Sequence, residues 1–260
     1  MAAPRPTASP NNNKGVDSSP SAPPLIAARD LVKTFGPVRA VDGISLDIQA
    51  GEVLGIIGDN GAGKSTFLAL LTGFYRPDSG TLLARGRPVR ISSPAVARRV
   101  LGIEMIYQKL ELAPDLTVAE NLFLGEEPRR FGLFAARRAM QRRAAAVLHT
   151  LNTKIRPSDI LSELSGGEQQ VVAIGRALLF ERSMVIMDEP TAAISVQKVA
   201  DLLDLIRRLR AAGKTVLLVS HRLEDLLAVA DRIAVFFHGT IRTILPNQNL
   251  GVADLVHAMF

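Results

Sequence analysis

The run Gly58-Asp59-Asn60-Gly61-Ala62-Gly63-Lys64-Ser65-Thr66 follows directly on the apolar stretch "VLGII" at Val53–Ile57. Gly58, Gly63, Lys64 and Ser65 fit the spacing G-x-x-x-x-G-K-[ST], that of a phosphate-binding loop. The pattern predicts a strand from Glu52 to Ile57 feeding the loop. A helix beginning near Gly63 should leave it, burying Phe67, Leu68, Leu70 and Leu71. Glycines let the chain curl so that several N–H groups converge, and the helix N-terminus adds partial positive charge at the same place. A triphosphate suits such a hollow. Lys64 is placed to reach the β- and γ-phosphates, and the Ser65 hydroxyl is placed to ligate magnesium.

Composition limits what surrounds this loop. The chain has 260 residues, of which 47% are hydrophobic, enough for one large domain or two small ones. No apolar run approaches the roughly 18 residues that a spanning helix requires. Cysteine is absent, which excludes disulfides and cysteine-based metal sites. The net charge of +6 suits anionic ligands, anionic lipid or nucleic acid equally. Residues 1–24 are rich in Pro, Ser, Ala and Asn and poor in large apolar side chains, so they read as a disordered tail with folding from Leu25 onward.

Beyond the tail, Leu25–Val32, Ala40–Ile48 and Glu52–Ile57 read as strands. "GTLLARGRPVR" reads as a strand pair and "IEMIYQ" as a short buried strand. Residues 117–151 read as helical, including a basic amphipathic segment with Arg137, Arg138, Arg142 and Arg143, taken as a solvated face. A helix over 166–180 opens at "SGG". "MVIMD" and "TVLLVS" are apolar runs of strand length flanking a helix over Val196–Ala212, which implies parallel strands. "RIAVFFHGTIRTI" reads as a hairpin turned at His238–Gly239.

"MVIMDEP" ends a buried strand in two carboxylates. After a phosphate-binding loop, Asp188 is the candidate for holding magnesium through water. Glu189 would stand where it accepts a proton from attacking water. "LSGGEQQ" at 164–170 opens a helix on Ser165, Gly166 and Gly167, which is also an ordinary capping-box sequence with Glu168. Its place about twenty residues before the Asp–Glu strand resembles the ATP-binding-cassette (ABC) ATPases, whose signature is LSGG. The resemblance covers residues 25–260.

It implies a P-loop NTPase fold of class α/β: a nucleotide-binding domain with an antiparallel β subdomain, a mainly parallel core sheet and an α-helical signature subdomain at about 109–175. It implies ATP and Mg2+ as ligands, with Asp59, Asn60, Gly61, Ala62 and Thr66 completing the loop. It also implies Gln108 as the glutamine meeting magnesium and water, His221 as the histidine contacting the γ-phosphate, and Phe35 as the aromatic stacking on adenine. "GEQQ", "DEPTAAIS" and "SHRLEDLLAVADRIAVF" look like the ATPases of simple-sugar importers of the ribose, xylose and fructose type, many of which carry two cassettes in one chain, and this chain is similar to their single-cassette members. That branch implies a homodimer sandwiching two ATP molecules between the loop of one copy and Ser165–Gly167 of the other. It further implies a separate membrane permease, an extracytoplasmic sugar-binding protein, and a peripheral position on the cytoplasmic face of the membrane. Ser195 and Lys109 depart from the acidic residues frequent at those positions. The surface from Gln108 to Gly125, with Leu112 and Leu116 exposed, is the expected permease contact.

Two other readings are weighed against this one. A soluble ABC ATPase of DNA repair or translation would act on nucleic acid. Only about a hundred residues separate the two motifs here, without the long coiled coil of the repair type. A degenerate cassette would bind ATP without hydrolysing it, against which Lys64, Asp188, Glu189 and His221 all argue.

Overall fold

The computed structural model describes residues 22–107, 111–130, 134–191 and 196–260. A four-stranded antiparallel sheet is built from β1 (Ile26–Phe35), β2 (Val38–Ile48), β4 (Ser79–Ala84) and β5 (Arg87–Val89), in the order β2-β1-β4-β5. The central sheet joins β3 (Val53–Ile57), β6 (Ile103–Ile106), β9 (Met184–Asp188), β10 (Thr215–Val219), β11 (Arg232–Phe237) and β12 (Thr240–Pro246), in the order β12-β11-β3-β10-β9-β6. All neighbours in it are parallel except the β11–β12 hairpin at one edge. Helices α1 (Lys64–Leu71), α2 (Pro94–Val100), α6 (Val196–Ala211), α7 (Leu223–Val229) and α8 (Val252–Met259) accompany these sheets. A third body carries α3 (Val118–Phe123), the short ribbon β7 (Arg129–Arg130) and β8 (Phe134–Ala135), α4 (Arg137–Thr150) and α5 (Gly166–Leu179).

β3, β9 and β10, in the interior of the central sheet, are continuous buried runs because both faces are covered there. Side chains alternate between those faces with the strand period of two. Leu54, Ile56, Ile186, Leu217 and Val219 pack with α1 and the antiparallel sheet. Val53, Ile57, Val185, Met187, Val216 and Leu218 pack with α5, α6, α7 and α8 on the other side. A separate cluster of Val118, Leu122, Phe123, Met140, Leu148 and Val172 holds α3, α4 and α5 together. The parallel sheet therefore points the ends of β3, β9 and β10 the same way, and the loops that follow them share one rim.

The helical reading of 117–151 is corrected. α3 starts on a capping box between Thr117 and Glu120 but ends at Phe123. Gly125 is left-handed at φ +81, and Pro128 follows with no N–H to donate. Chain direction is lost there, and α4 begins only at Arg137. Arg137, Arg138, Arg142 and Arg143 are exposed, as a solvated face requires, with Arg143 also donating to the Leu179 carbonyl at the end of α5. Helix α2 was not expected, although its start is conventional: Ser93 accepts from Val96 N–H and Pro94 occupies the first turn. Leu112 and Leu116, expected to be exposed, are half-buried, and Leu112 packs against both the central-sheet cluster and the helical cluster.

Buried charges join the helical body to the edge of the central sheet. Glu104 on β6 lies 3.3 Å from Arg98 of α2, 3.3 Å from Arg182 after α5 and 3.9 Å from Arg176 of α5. Arg182 also reaches Glu126, beyond α3, at 2.5 Å. Arginine forks suit such multiple pairing, and the opposing carboxylates spare the guanidiniums an uncompensated burial. Among the described residues no helix is long and apolar enough to cross a membrane.

Candidate nucleotide-binding and catalytic site

The turn after β3 runs from Gly58 to Gly63 and delivers the chain into α1. Two of its glycines are demanded by close approach. A Cβ on Gly58 (φ +149) would lie 2.3 Å from the carbonyl oxygen of Phe236, and one on Gly63 (φ +99) would lie 2.3 Å from that of Ala40. Both backbones bear on the loop so closely that no side chain fits. The loop is further held by Ala62 N–H to Asp59 O at 3.1 Å, and by Gly239 N–H to Ala62 O at 3.0 Å. Gly239 itself accepts from Asp42 N–H at 2.7 Å, so the β11–β12 turn braces the loop against β2. That turn was legible as a hairpin, but its role as a support was not.

Lys64 opens α1 with its ammonium drawn into the loop, donating to Gly58 O at 2.7 Å and Asp59 O at 2.9 Å. Burial pushes the ammonium below its usual range, and Glu189, Asp188 and Asp59 pull it back toward the charged form. Ser65 and Thr66 follow on the same helix, Ser65 exposed, while Asp59, Asn60 and Gly61 form the exposed crest of the loop.

Asp188 ends β9, beside the end of β10, which lies next to β3. Burial raises its carboxyl above the ordinary range and Glu189 adds to the rise, while Lys64 and His221 oppose it. Glu189 takes φ +51, a strained backbone for a side chain with a Cβ, and its N–H is fixed to Val219 O of β10 at 2.9 Å. His221 stands two residues past that strand, in a turn closed by the Ser220 hydroxyl accepting from Arg222 N–H at 3.0 Å. Its Nε2 lies 2.7 Å from Glu189 Oε1. The ends of two adjacent strands thus bring base candidate and histidine together.

Ser65 and Asp188 line one cavity of about 220 Å3 with Thr72, Tyr75, Met105 and Tyr107. Among the described residues no group of three or more His, Cys, Asp or Glu could hold a metal. A hydroxyl and one carboxylate nevertheless fit magnesium, which keeps several waters and takes its other ligands from phosphate. A carboxyl pushed toward its neutral form by burial is one that a cation returns to the charged form, so the residues present fit Mg2+ as well as ATP.

Phe35 ends β1 and is 40% exposed, its ring 5.0 Å from that of Tyr75 in an edge contact. Tyr75 meets Phe74 in the same way at 5.0 Å. The aromatic expected at the nucleobase therefore belongs to a group of three, of which sequence reasoning named one. Gln108, Lys109 and Ser195 lie outside the described residues, as do residues 1–21 of the expected tail.

Ser165 and Gly166 are exposed at the start of α5, away from any contact with Lys64 or Glu189 in this chain. Ser165 Oγ and N–H both donate to Glu168 Oε2, at 2.5 Å and 2.9 Å. One turn on, the buried Gln170 side chain donates to Pro190 O at 2.8 Å, tying the signature helix to the residue after Glu189. Lys198 of α6 donates to Ser165 Oγ, a contact the sequence did not announce.

Residues 41–192 match the ABC transporter family. The chain is 44% identical over 236 residues to a ribose import ATP-binding protein, RbsA 3, of Rubrobacter xylanophilus, covering 91% of this chain and 47% of that protein. It is 42% identical over 243 residues to ribose import ATP-binding protein RbsA of Rhodococcus jostii, covering 93% of this chain and 48% of that one. The chain thus spans about half the length of the curated relatives it matches. Among solved structures, an ATP-binding cassette of an ABC transporter superposes with a TM-score of 0.80 at 30% identity, over 91% of this chain and 99% of the other. A nucleotide-free cassette superposes with a TM-score of 0.78 at 28% identity, over 90% and 94%.

Proposed function

This chain belongs to the ABC transporter family of ATP-binding cassettes, and from that premise we propose that it hydrolyses ATP in a dimer to drive uptake of a simple sugar through a separate membrane permease. The observation that carries the chemistry is the 2.7 Å pairing of Glu189 with His221 on the rim that also holds Lys64 and Asp188. The loop at 58–66 grips the triphosphate through backbone N–H groups, the α1 N-terminus and the Lys64 ammonium. Magnesium, when bound, neutralises charge on the β- and γ-phosphates, with Ser65 and Asp188 as its protein neighbours. Glu189 accepts the proton of the attacking water, and His221 orients that carboxylate while facing the γ-phosphate. Phosphoryl transfer asks mainly for positioning and charge stabilisation, which these groups supply.

The exposed Ser165–Gly167 end of α5 completes the site of a second copy, so each ATP lies between two chains. The sugar reading is supported by the printed functions of the relatives, which are import ATP-binding proteins for ribose and, in a Burkholderia cenocepacia homologue at 39% identity, putatively for ribose, galactose or methyl galactoside. A permease and an extracytoplasmic binding protein would supply the path and the sugar specificity, placing this chain on the cytoplasmic face of the membrane. The test is uptake of radiolabelled ribose, xylose, fructose and galactose by cells lacking the chain. Uptake of at least one should disappear, return with the wild-type chain, and stay absent with a Lys64→Ala copy. Undiminished uptake of all four sugars would overturn the transport reading.

A further inference from the structure

The donor supply at the start of α5 is not what a serine-glycine-glycine opening provides by itself. The Ser165 hydroxyl has one proton, and that proton goes to Glu168 Oε2 at 2.5 Å. What the oxygen offers in return is a lone pair, which it gives to the Lys198 ammonium. The Lys198 stem lies against the first turn of the helix so closely that a Cβ on Gly167 would come within 2.6 Å of its Cδ. An ammonium carries three protons, and among the described residues Ser165 Oγ is the one acceptor Lys198 reaches.

The placement also goes against the helix. An N-terminus carries partial positive charge, so a lysine there is disfavoured, and Glu168 is the acidic residue of the first turn that opposes the two, with Asp159 and Asp201 further round. The ammonium and the helix end stand side by side at the same exposed patch, where a multiply charged anion would meet both. We infer that Lys198 is a binding residue for the γ-phosphate of ATP held by a second copy of this chain, supplying the charged donor that Ser165 has committed elsewhere. The inference rests on the two-chain reading above. Lys198 reaches the patch from α6, the helix that follows the Glu189 segment in sequence, so one short stretch carries a chain's own catalytic carboxylate and its cation for the partner's nucleotide.

The test uses the full chain with Glu189→Gln, in which ATP is bound and not consumed, and measures dimerisation by sedimentation at increasing Mg-ATP. Lys198→Ala added to that protein should weaken dimerisation by at least about tenfold, as loss of a hydrogen bond to a charged group does, and the symmetric dimer contains the contact twice. Lys198→Glu should abolish it, and Lys198→Arg should retain most of it. The affinity of the monomer for a fluorescent ATP analogue, and the melting temperature, should stay those of the parent. Parent-like dimerisation of Lys198→Ala and Lys198→Glu would overturn the inference and leave the two-chain reading standing. Loss of monomer nucleotide affinity or of melting temperature in Lys198→Ala would also overturn it, showing a structural lysine. A Glu189→Gln parent that stays monomeric at saturating Mg-ATP would overturn both.

Discussion

Replacing Glu189 with glutamine is expected to slow ATP hydrolysis by about 10²–10⁴, the usual contribution of a general base, while nucleotide affinity stays that of the wild type. The substitution is nearly isosteric. Glutamine meets the left-handed backbone at 189 with the same strain that glutamate does, and the N–H bond to Val219 O is untouched. The fold should therefore melt at the same temperature. What is lost is the carboxylate oxygen that sits 2.7 Å from His221 Nε2 and can take a proton. Single-turnover phosphate release, measured with ATP saturating, reads the chemical step directly. Wild-type turnover in this variant would remove Glu189 from the mechanism and leave Asp188, whose carboxyl burial pushes upward, as the group to examine.

Lys64→Ala should act earlier, on binding. The ammonium is buried in the loop, bonded to Gly58 O and Asp59 O, where a phosphate held by the loop would find it. Charged hydrogen bonds of this kind contribute about 1.5–3 kcal/mol each, so affinity for Mg-ATP should fall by at least an order of magnitude. Alanine is the best helix former and the backbone of α1 should persist, with Phe67 N–H still bonded to Gly63 O at 2.9 Å. Equilibrium titration with ATP separates this from a fault in chemistry. Unchanged affinity would reduce Lys64 to a helix-start residue.

Those two groups were legible in the sequence because their chemistry is local. The loop, the strand before it and the helix after it lie within twenty residues, and the Asp188-Glu189 pair ends an apolar run that can only be a covered strand. Parallel order followed from "MVIMD" and "TVLLVS" flanking a helix, and β9 and β10 are indeed neighbours. The chain was harder to read where a pattern of helix formers is broken by conformation. Gly125 and Pro128 interrupt 117–151, yet the surrounding residues keep a helical composition. α2 is short enough for its Ser93 cap to pass as loop chemistry.

Contacts between distant segments were not legible at all. Gly239 bracing Ala62 and Lys198 reaching Ser165 each join residues more than thirty positions apart, and neither has a local signature. Tyr75 reads as a core or surface aromatic until the antiparallel sheet brings Phe35 to its edge.

The central claim, that each ATP is hydrolysed by two chains, is tested most directly by mixing two inactive proteins. Lys64→Ala spoils the loop of a chain, and Ser165→Arg blocks the exposed end of α5. A homodimer of either carries its lesion at both sites. A mixed dimer gathers both lesions at one site and pairs an intact loop with an intact α5 end at the other. After subunit exchange, verified by fluorescence transfer between labelled chains, an equal mixture should recover up to roughly a quarter of wild-type ATPase activity, because half of the dimers are mixed and each has one sound site. A Ser165→Arg protein that alone hydrolyses ATP at the full wild-type rate, or a wild type that sediments as a monomer throughout turnover, would contradict the account.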